Sequence, residues 1–370
     1  MVRSLPISIA PLALVGLALA AAPAAARSDY VDRIPNGGVH DCDNCHGGGA
    51  FKSDWDRLGW GAKLARKDSD GDGFSNGEEL QDPDGRWRPG RADPGDRGLV
   101  SNPGDRRSVP AVEGAPSKKK ARCIRRLNQG LVAVAEASGA ALRDCVKSAA
   151  TDEGAPAAGV CAASIDADET VVRRVAKLEK REGRACLSLP NPPPFGATSA
   201  ETVTEAAIGE RSALLADLFG ADPDGALLTD AEDGDGARCQ RALLSATDRC
   251  ATEVLEAFEK CKKKGLKQRR IGGVDDLVAC LDSALARRRA GRCGPEGTKL
   301  GKALARRCDA PGGDLAALFP GCGAAAPEDL VACVAERLRC RACRAVDGAD
   351  DLGADCDLFD DATADGSCED

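Results

Sequence analysis

Aromatic side chains make up only 3 % of the 370 residues: three tryptophans, one tyrosine and seven phenylalanines. So few rings cannot found a core, and stability has to come from aliphatic packing or cross-links. Histidine is scarcer still, with His40 and His46 the only two. That leaves almost nothing to serve as a histidine base, and no serine sits in a nucleophile-elbow context, so a hydrolase is not expected. No carboxylate dyad stands apart either, and an enzyme is not the favoured reading. The single methionine is Met1. The net charge of −8, from 51 basic against 59 acidic residues, argues against a general nucleic-acid binder. Basic clusters at Lys118–Lys120, Lys262–Lys264 and Arg287–Arg289 fall on or beside expected helices and read as solvated faces. Beyond the N-terminal stretch, no run is long and apolar enough to cross a membrane.

What is abundant is cysteine, with 18 residues. That number would be odd in a reducing cytosol and is natural for disulfides outside it. The N-terminus agrees. Arg3 precedes an apolar run from Ile7 to Ala20, and Ala24 and Ala26 offer the small-x-small pattern of signal-peptide cleavage before Arg27. The expected location is therefore extracytoplasmic, either periplasmic or secreted, with no transmembrane segment in the mature chain.

After the 1–26 leader the composition changes several times. Residues 28–108 are rich in Gly, Asp and Pro, hold all three tryptophans (Trp55, Trp60, Trp87), and show little helical periodicity. Residues 109–120 form a polar linker. From Ala121 the chain turns to Ala, Leu, Arg and Cys at helical spacing, and it repeats itself. Cys123 and Cys145 lie 22 residues apart, as do Cys239 and Cys261. In each copy the cysteines share an apolar stripe, with Leu127, Leu131, Val134 and Leu142 in the first and Leu243, Val254 and Phe258 in the second.

A helix of that length spans about 33 Å, so its two terminal cysteines must each reach another helix. The partners expected are Cys145 with Cys161 and Cys123 with Cys186 and, by analogy, Cys261 with Cys280 and Cys239 with Cys308. The helical copies are assigned to 121–189 and 237–346, joined by a proline-bearing connection over 190–236. An acidic tail, 347–370, is expected to be mostly loop, tied down by its two cysteines. Cys340 and Cys343 read as disulfide members.

Asp68-Ser-Asp70-Gly-Asp72-Gly73-Phe74-Ser-Asn76-Gly-Glu-Glu79 fits the spacing of a calcium loop. Calcium takes six to eight hard oxygens, and alternate side chains of a tight loop supply them. Asp68, Asp70 and Asp72 offer carboxylates, the Phe74 carbonyl points inward, Asn76 acts through water, and Glu79 closes the site from position twelve. A second acidic run, 230–236, lacks the spacing and reads as a turn.

The sharpest chemical signal is Cys42-x-x-Cys45-His46. Two thiols add to haem vinyl groups and the adjacent histidine ligates iron, so the pattern matches covalent haem c attachment. Loss of Met1 with the leader removes methionine as a sixth ligand. His40, Lys52 or an open position remain. Apolar cover for a haem is thin: Phe51, Trp55, Leu58, Trp60, Leu64 and Phe74. Two rival readings stand beside it. His40, Cys42, Cys45 and His46 together suit copper or zinc, and Cys42 and Cys45 alone suit a disulfide.

Taken together, RIPNG (33–37), the cluster at 40–46, DSDGDGFSNGEELQDPDGRW (68–87) and SNPG (101–104) resemble the temptin-like domain of secreted proteins. The resemblance implies a small, mostly β and loop domain with a calcium-type acidic loop and a cysteine or copper site, and it draws Asp82 into the metal environment. Two positions depart from the pattern, Gln81 for a glycine and Asn102 where some members carry histidine. The fold class expected is thus multidomain, with a small β/loop-rich metal-binding N-terminal domain followed by disulfide-stapled all-α helical-hairpin repeats. The functional expectation is an exported calcium-binding monohaem electron carrier with a redox partner protein. Its rival is a non-redox secreted calcium-binding recognition or structural protein.

Overall fold

The computed structural model describes residues 28–46, 50–110, 112–151, 158–289, 293, 298–308, 314–360, 363 and 366–368. The expected leader and its cleavage point lie outside these residues, as do the side chains of the Arg287–Arg289 cluster. The chain divides into two compact units, Met1–Arg106 and Arg107–Asp370.

The first unit contains no strand among its described residues, which overturns the expected β/loop-rich domain. It is built from single helical turns and loops: 3-10 turns at Ser28–Arg33 and Gly37–Val39, then α1 (Asp43–His46), α2 (Phe51–Leu58), α3 (Ala62–Ala65) and α4 (Asn76–Glu79). The physical reason lies in where the backbone bonds go. Glycine, aspartate and proline interrupt every run before two strands can pair, and side-chain amides and carboxylates take up the backbone groups a ladder would have used. Asn36 donates to the carbonyls of Leu80 and Pro94, Asn44 to those of Gly37 and Asp41, and Asn102 to that of Asp43. Asp82 accepts from the backbone N–H groups of Arg86 and Trp87 and from the Trp60 indole. A small core of Ile34, Phe51, Leu64, Leu80 and Val100 sits inside this mesh.

The second unit is an all-helical bundle. Its elements are α5 (Lys118–Thr151), α6 (Ala158–Ala163), α7 (Glu169–Ala185), α8 (Ala200–Phe219), α9 (Pro223–Ala226), α10 (Asp230–Lys267), α11 (Val274–Arg289), α12 (Thr298–Arg307), α13 (Leu315–Leu318), α14 (Pro327–Asp350) and α15 (Cys356–Asp360). All four expected bridges are present: Cys123–Cys186, Cys145–Cys161, Cys239–Cys308 and Cys261–Cys280. The first copy is a true hairpin, with α7 running back along α5 and a bridge near each end. In the second copy the returning arm is broken into α11 and α12, and an additional bridge, Cys250–Cys293, holds the middle of α10. Cys340 and Cys343 bond to Cys368 and Cys356, which ties the acidic tail to α14. Cys322–Cys333 closes the turn into α14.

Two helical features differ from expectation. The connection over 190–236 holds a 20-residue helix, α8, capped by Ser199 accepting from the Thr202 N–H. The acidic run 230–236 is the entry to α10, where a Thr229/Glu232 capping box starts the helix and Asp233 interrupts it. α5, α8, α10 and α14 enclose a core of Leu127, Leu131, Val134, Val254, Leu338 and Val346, all fully or almost fully buried. Where α5 passes α10, Gly139 leaves room for the buried Asp248 carboxylate, which is held by Arg143 and Arg211.

Candidate metal loop and thiol pocket

Between α3 and α4 the chain bends back on itself through Gly71 (φ +76°) and Gly73 (φ +97°), backbone that glycine adopts without steric cost. The turns are tied by the aspartates themselves. Asp68 accepts from the N–H groups of Gly71 at 2.7 Å and Gly73 at 3.0 Å, Asp70 from that of Asp72, and Asp72 from that of Phe74. The Ser75/Glu78 capping box then starts α4. As a result, single carboxylate oxygens of Asp68, Asp70 and Asp72 lie within 4.8 Å of one another.

Glu79 lies near enough to feel the charge of this cluster, although its oxygens are not among those that converge. It is fully buried. One carboxylate oxygen accepts from the Ser101 hydroxyl at 2.9 Å, while the other, Oε2, is buried without a hydrogen-bond partner. Asp70 Oδ2 is in the same condition. Burial, with Asp70, Asp72 and Asp68 nearby, pushes Glu79 up to about 9. Burial, with Asp72 adding to it, pushes Asp70 up to about 6. An orphaned carboxylate oxygen in a buried site is costly unless a cation meets it.

Asn76 behaves otherwise. Its amide donates to the Leu64 carbonyl and the Ser69 hydroxyl and accepts from the Ser69 N–H, so position nine is committed to holding the loop's base. Asp82 is likewise committed, to Trp60, Arg86 and Trp87. A supporting residue that the spacing did not single out is the buried Asp54, which binds the Ser69 hydroxyl at 2.8 Å together with Lys67 and Arg57. Its one sequence signal is position, as an acid on the inner face of α2 beside Phe51.

The Cys/His cluster occupies the turn of α1. Among the 16 disulfide-bonded cysteines none belongs to the first unit, and Cys42 and Cys45 are both free thiols. Cys42 is exposed. Cys45 is half-buried, and burial pushes its thiol upward. Both thiols and His46 open onto a cavity of about 270 Å³ walled by Tyr30, Ile34 and Trp55, with Tyr30 and Trp55 in edge contact at 4.9 Å. His40 does not line this cavity; its Nε2 is buried without a hydrogen-bond partner. Among the described residues, His40, Cys42, Cys45 and His46 do not converge as the three aspartates do. Lys52 is paired with Asp56.

Residues 24–105 match the family model described as Temptin C-terminal, which accounts for the N-terminal unit alone. No curated protein and no solved structure matches the chain.

Proposed function

We propose that the chain is an exported, calcium-clamped recognition or structural protein, in which a temptin-like unit precedes a disulfide-stapled helical scaffold. The observation that carries this reading is the pair of buried, unpartnered oxygens, Glu79 Oε2 and Asp70 Oδ2, beside Asp68 in a loop of calcium spacing. Asp68, Asp70, Asp72 and Glu79 would hold the ion, with the Phe74 carbonyl and water completing its oxygen shell. Calcium there supplies charge compensation and rigidity, not bond-breaking chemistry.

The residues around the loop do the positioning. Ser101 fixes the Glu79 carboxylate, Asn76 pins the loop to Leu64 and Ser69, and Asp54 with Lys67 anchors its first residues. The eight disulfides of the second unit and the temptin-like match both suit life outside the cytoplasm. Isothermal titration of chelator-treated protein with calcium tests the reading. Binding of one ion, lost in Glu79→Gln, supports it, and absence of any heat or thermal shift removes it.

A second reading is favoured by one feature, the two free thiols and His46 facing an apolar cavity. Cys42 and Cys45 would carry haem c through thioethers and His46 would ligate its iron, supplying one-electron chemistry. The cavity, about 270 Å³, falls just below the roughly 300–1,000 Å³ usual for small-molecule sites, which is why the non-redox reading leads. A pyridine haemochrome spectrum after export alongside the cytochrome c maturation machinery separates the two: a c-type band selects haem, and a colourless protein removes it.

A further inference from the structure

The run Lys262–Lys264 reads in sequence as a solvated basic face, yet Lys262 is fully buried. It projects from α10 into the core cluster, with Phe258 beneath it (Nζ 5.6 Å from the ring centroid) and the side chains of Leu277 and Ile124 around the adjacent Gly196. Its Nζ meets two groups, the Gly196 carbonyl at 2.9 Å and the carboxylate of Asp350, the last residue of α14. Asp350 is 1 % exposed, and its second oxygen, Oδ1, is buried with no partner.

Counting donors and acceptors shows what is wrong with an ion pair here. An ammonium has three protons to place and finds two acceptors; a carboxylate has two oxygens to satisfy and finds one donor. Charged groups buried on such terms are poorly compensated. An amide between the same atoms has one N–H, for which the Gly196 carbonyl is the acceptor, and one neutral carbonyl oxygen, whose isolation costs far less than that of a carboxylate.

We propose that Lys262 and Asp350 are joined by an isopeptide bond, a modification site that cross-links α10 to the end of α14. The reaction needs no co-reactant. The neutral amine attacks Cγ of the protonated carboxyl; the C–N bond forms, the C–OH bond breaks, and the hydroxyl leaves with one proton from the nitrogen as water. Burial favours both reacting forms, pushing the lysine down and the aspartic acid up. The fold supplies the approach, since the packed helices hold the two groups in contact. The bond closes 88 residues, joining segments that none of the eight disulfides joins directly.

The test is the mass of the exported full chain after reduction and alkylation of all cysteines. The expected value is one water below that of the linear sequence. Trypsin is expected not to cut after Lys262 and to yield a branched peptide joining the α10 and α14 segments, with fragmentation placing the link at Lys262 and Asp350. A full, unreduced mass with ordinary tryptic cleavage after Lys262 overturns the proposal. So does a water loss that fragmentation places elsewhere.

Discussion

Removing calcium is expected to make the stability of the N-terminal unit steeply pH-dependent, chiefly through Glu79. Metal-free Glu79 sits at about 9 in the folded unit against 4.5 as its ordinary value. The folded state therefore holds a proton that the unfolded chain releases above pH 4.5. The contribution of Glu79 is greatest below that pH and falls as pH rises toward 9. Each pH unit in this window costs about 1.4 kcal/mol, so moving from pH 5 to pH 7 removes roughly 2.7 kcal/mol. Asp70, at about 6, adds to the slope below pH 6. Calcium replaces the proton as the partner of the buried oxygens and should flatten the profile. The assay is selective, because Trp55, Trp60 and Trp87 all lie in this unit, so urea unfolding followed by tryptophan fluorescence reports on it alone. With excess chelator the midpoint should drop between pH 5 and pH 7; with excess calcium it should hold. Glu79→Gln retains an acceptor for Ser101, cannot ionise, and should abolish the calcium response and the slope above pH 6, leaving only the Asp70 part below it. Coincident chelator and calcium curves at pH 7, with no slope between pH 5 and 7, would refute the reasoning.

Other outcomes follow from separate parts of the molecule. Asp54→Asn should destabilise the N-terminal unit by about 2 kcal/mol in the same fluorescence assay, since it strips Lys67 and Arg57 of their buried partner. Against the upward push of burial, Lys67 and Ser69 hold Asp54 below its ordinary value, so its contribution should fade in acid as pH falls through that depressed pKa, opposite in sign to Glu79. Replacing Cys123 and Cys186 by alanine should cost about 4 kcal/mol, and the shorter Cys145–Cys161 loop about 3 kcal/mol, by far-UV circular dichroism in urea. Gly139→Ala should lower helical-unit stability by about 2 kcal/mol despite the better helix propensity of alanine, because the new methyl group displaces Asp248 from its arginines. Unfolded without reductant, haem-free protein should react with two equivalents of a thiol reagent, mapped by mass spectrometry to Cys42 and Cys45.

The sequence by itself determined whatever depends on short-range spacing. The helix pitch forbids Cys123 from meeting Cys145, and with the repeat carried over by analogy this pointed to four bridges found in the fold. The acidic loop was legible for the same reason, as its turns are closed by its own aspartates within the seven residues from Asp68 to Phe74. Tertiary structure decided the rest. The expected β/loop-rich domain proved to be turns and short helices, because Asn36, Asn44 and Asn102 take up carbonyls 3 to 59 residues away. Helical periodicity could not expose α8 inside a proline-bearing connection, because its apolar residues are spread around it and it packs against both α5 and α14. Lys262 falls one turn from both Phe258 and Leu266 on the buried face of α10, while Lys263 and Lys264 fall outside it, and the packing of α14 against α10 supplies Asp350 as its partner. Spacing is a property of the chain, whereas burial belongs to all the elements that close over a residue.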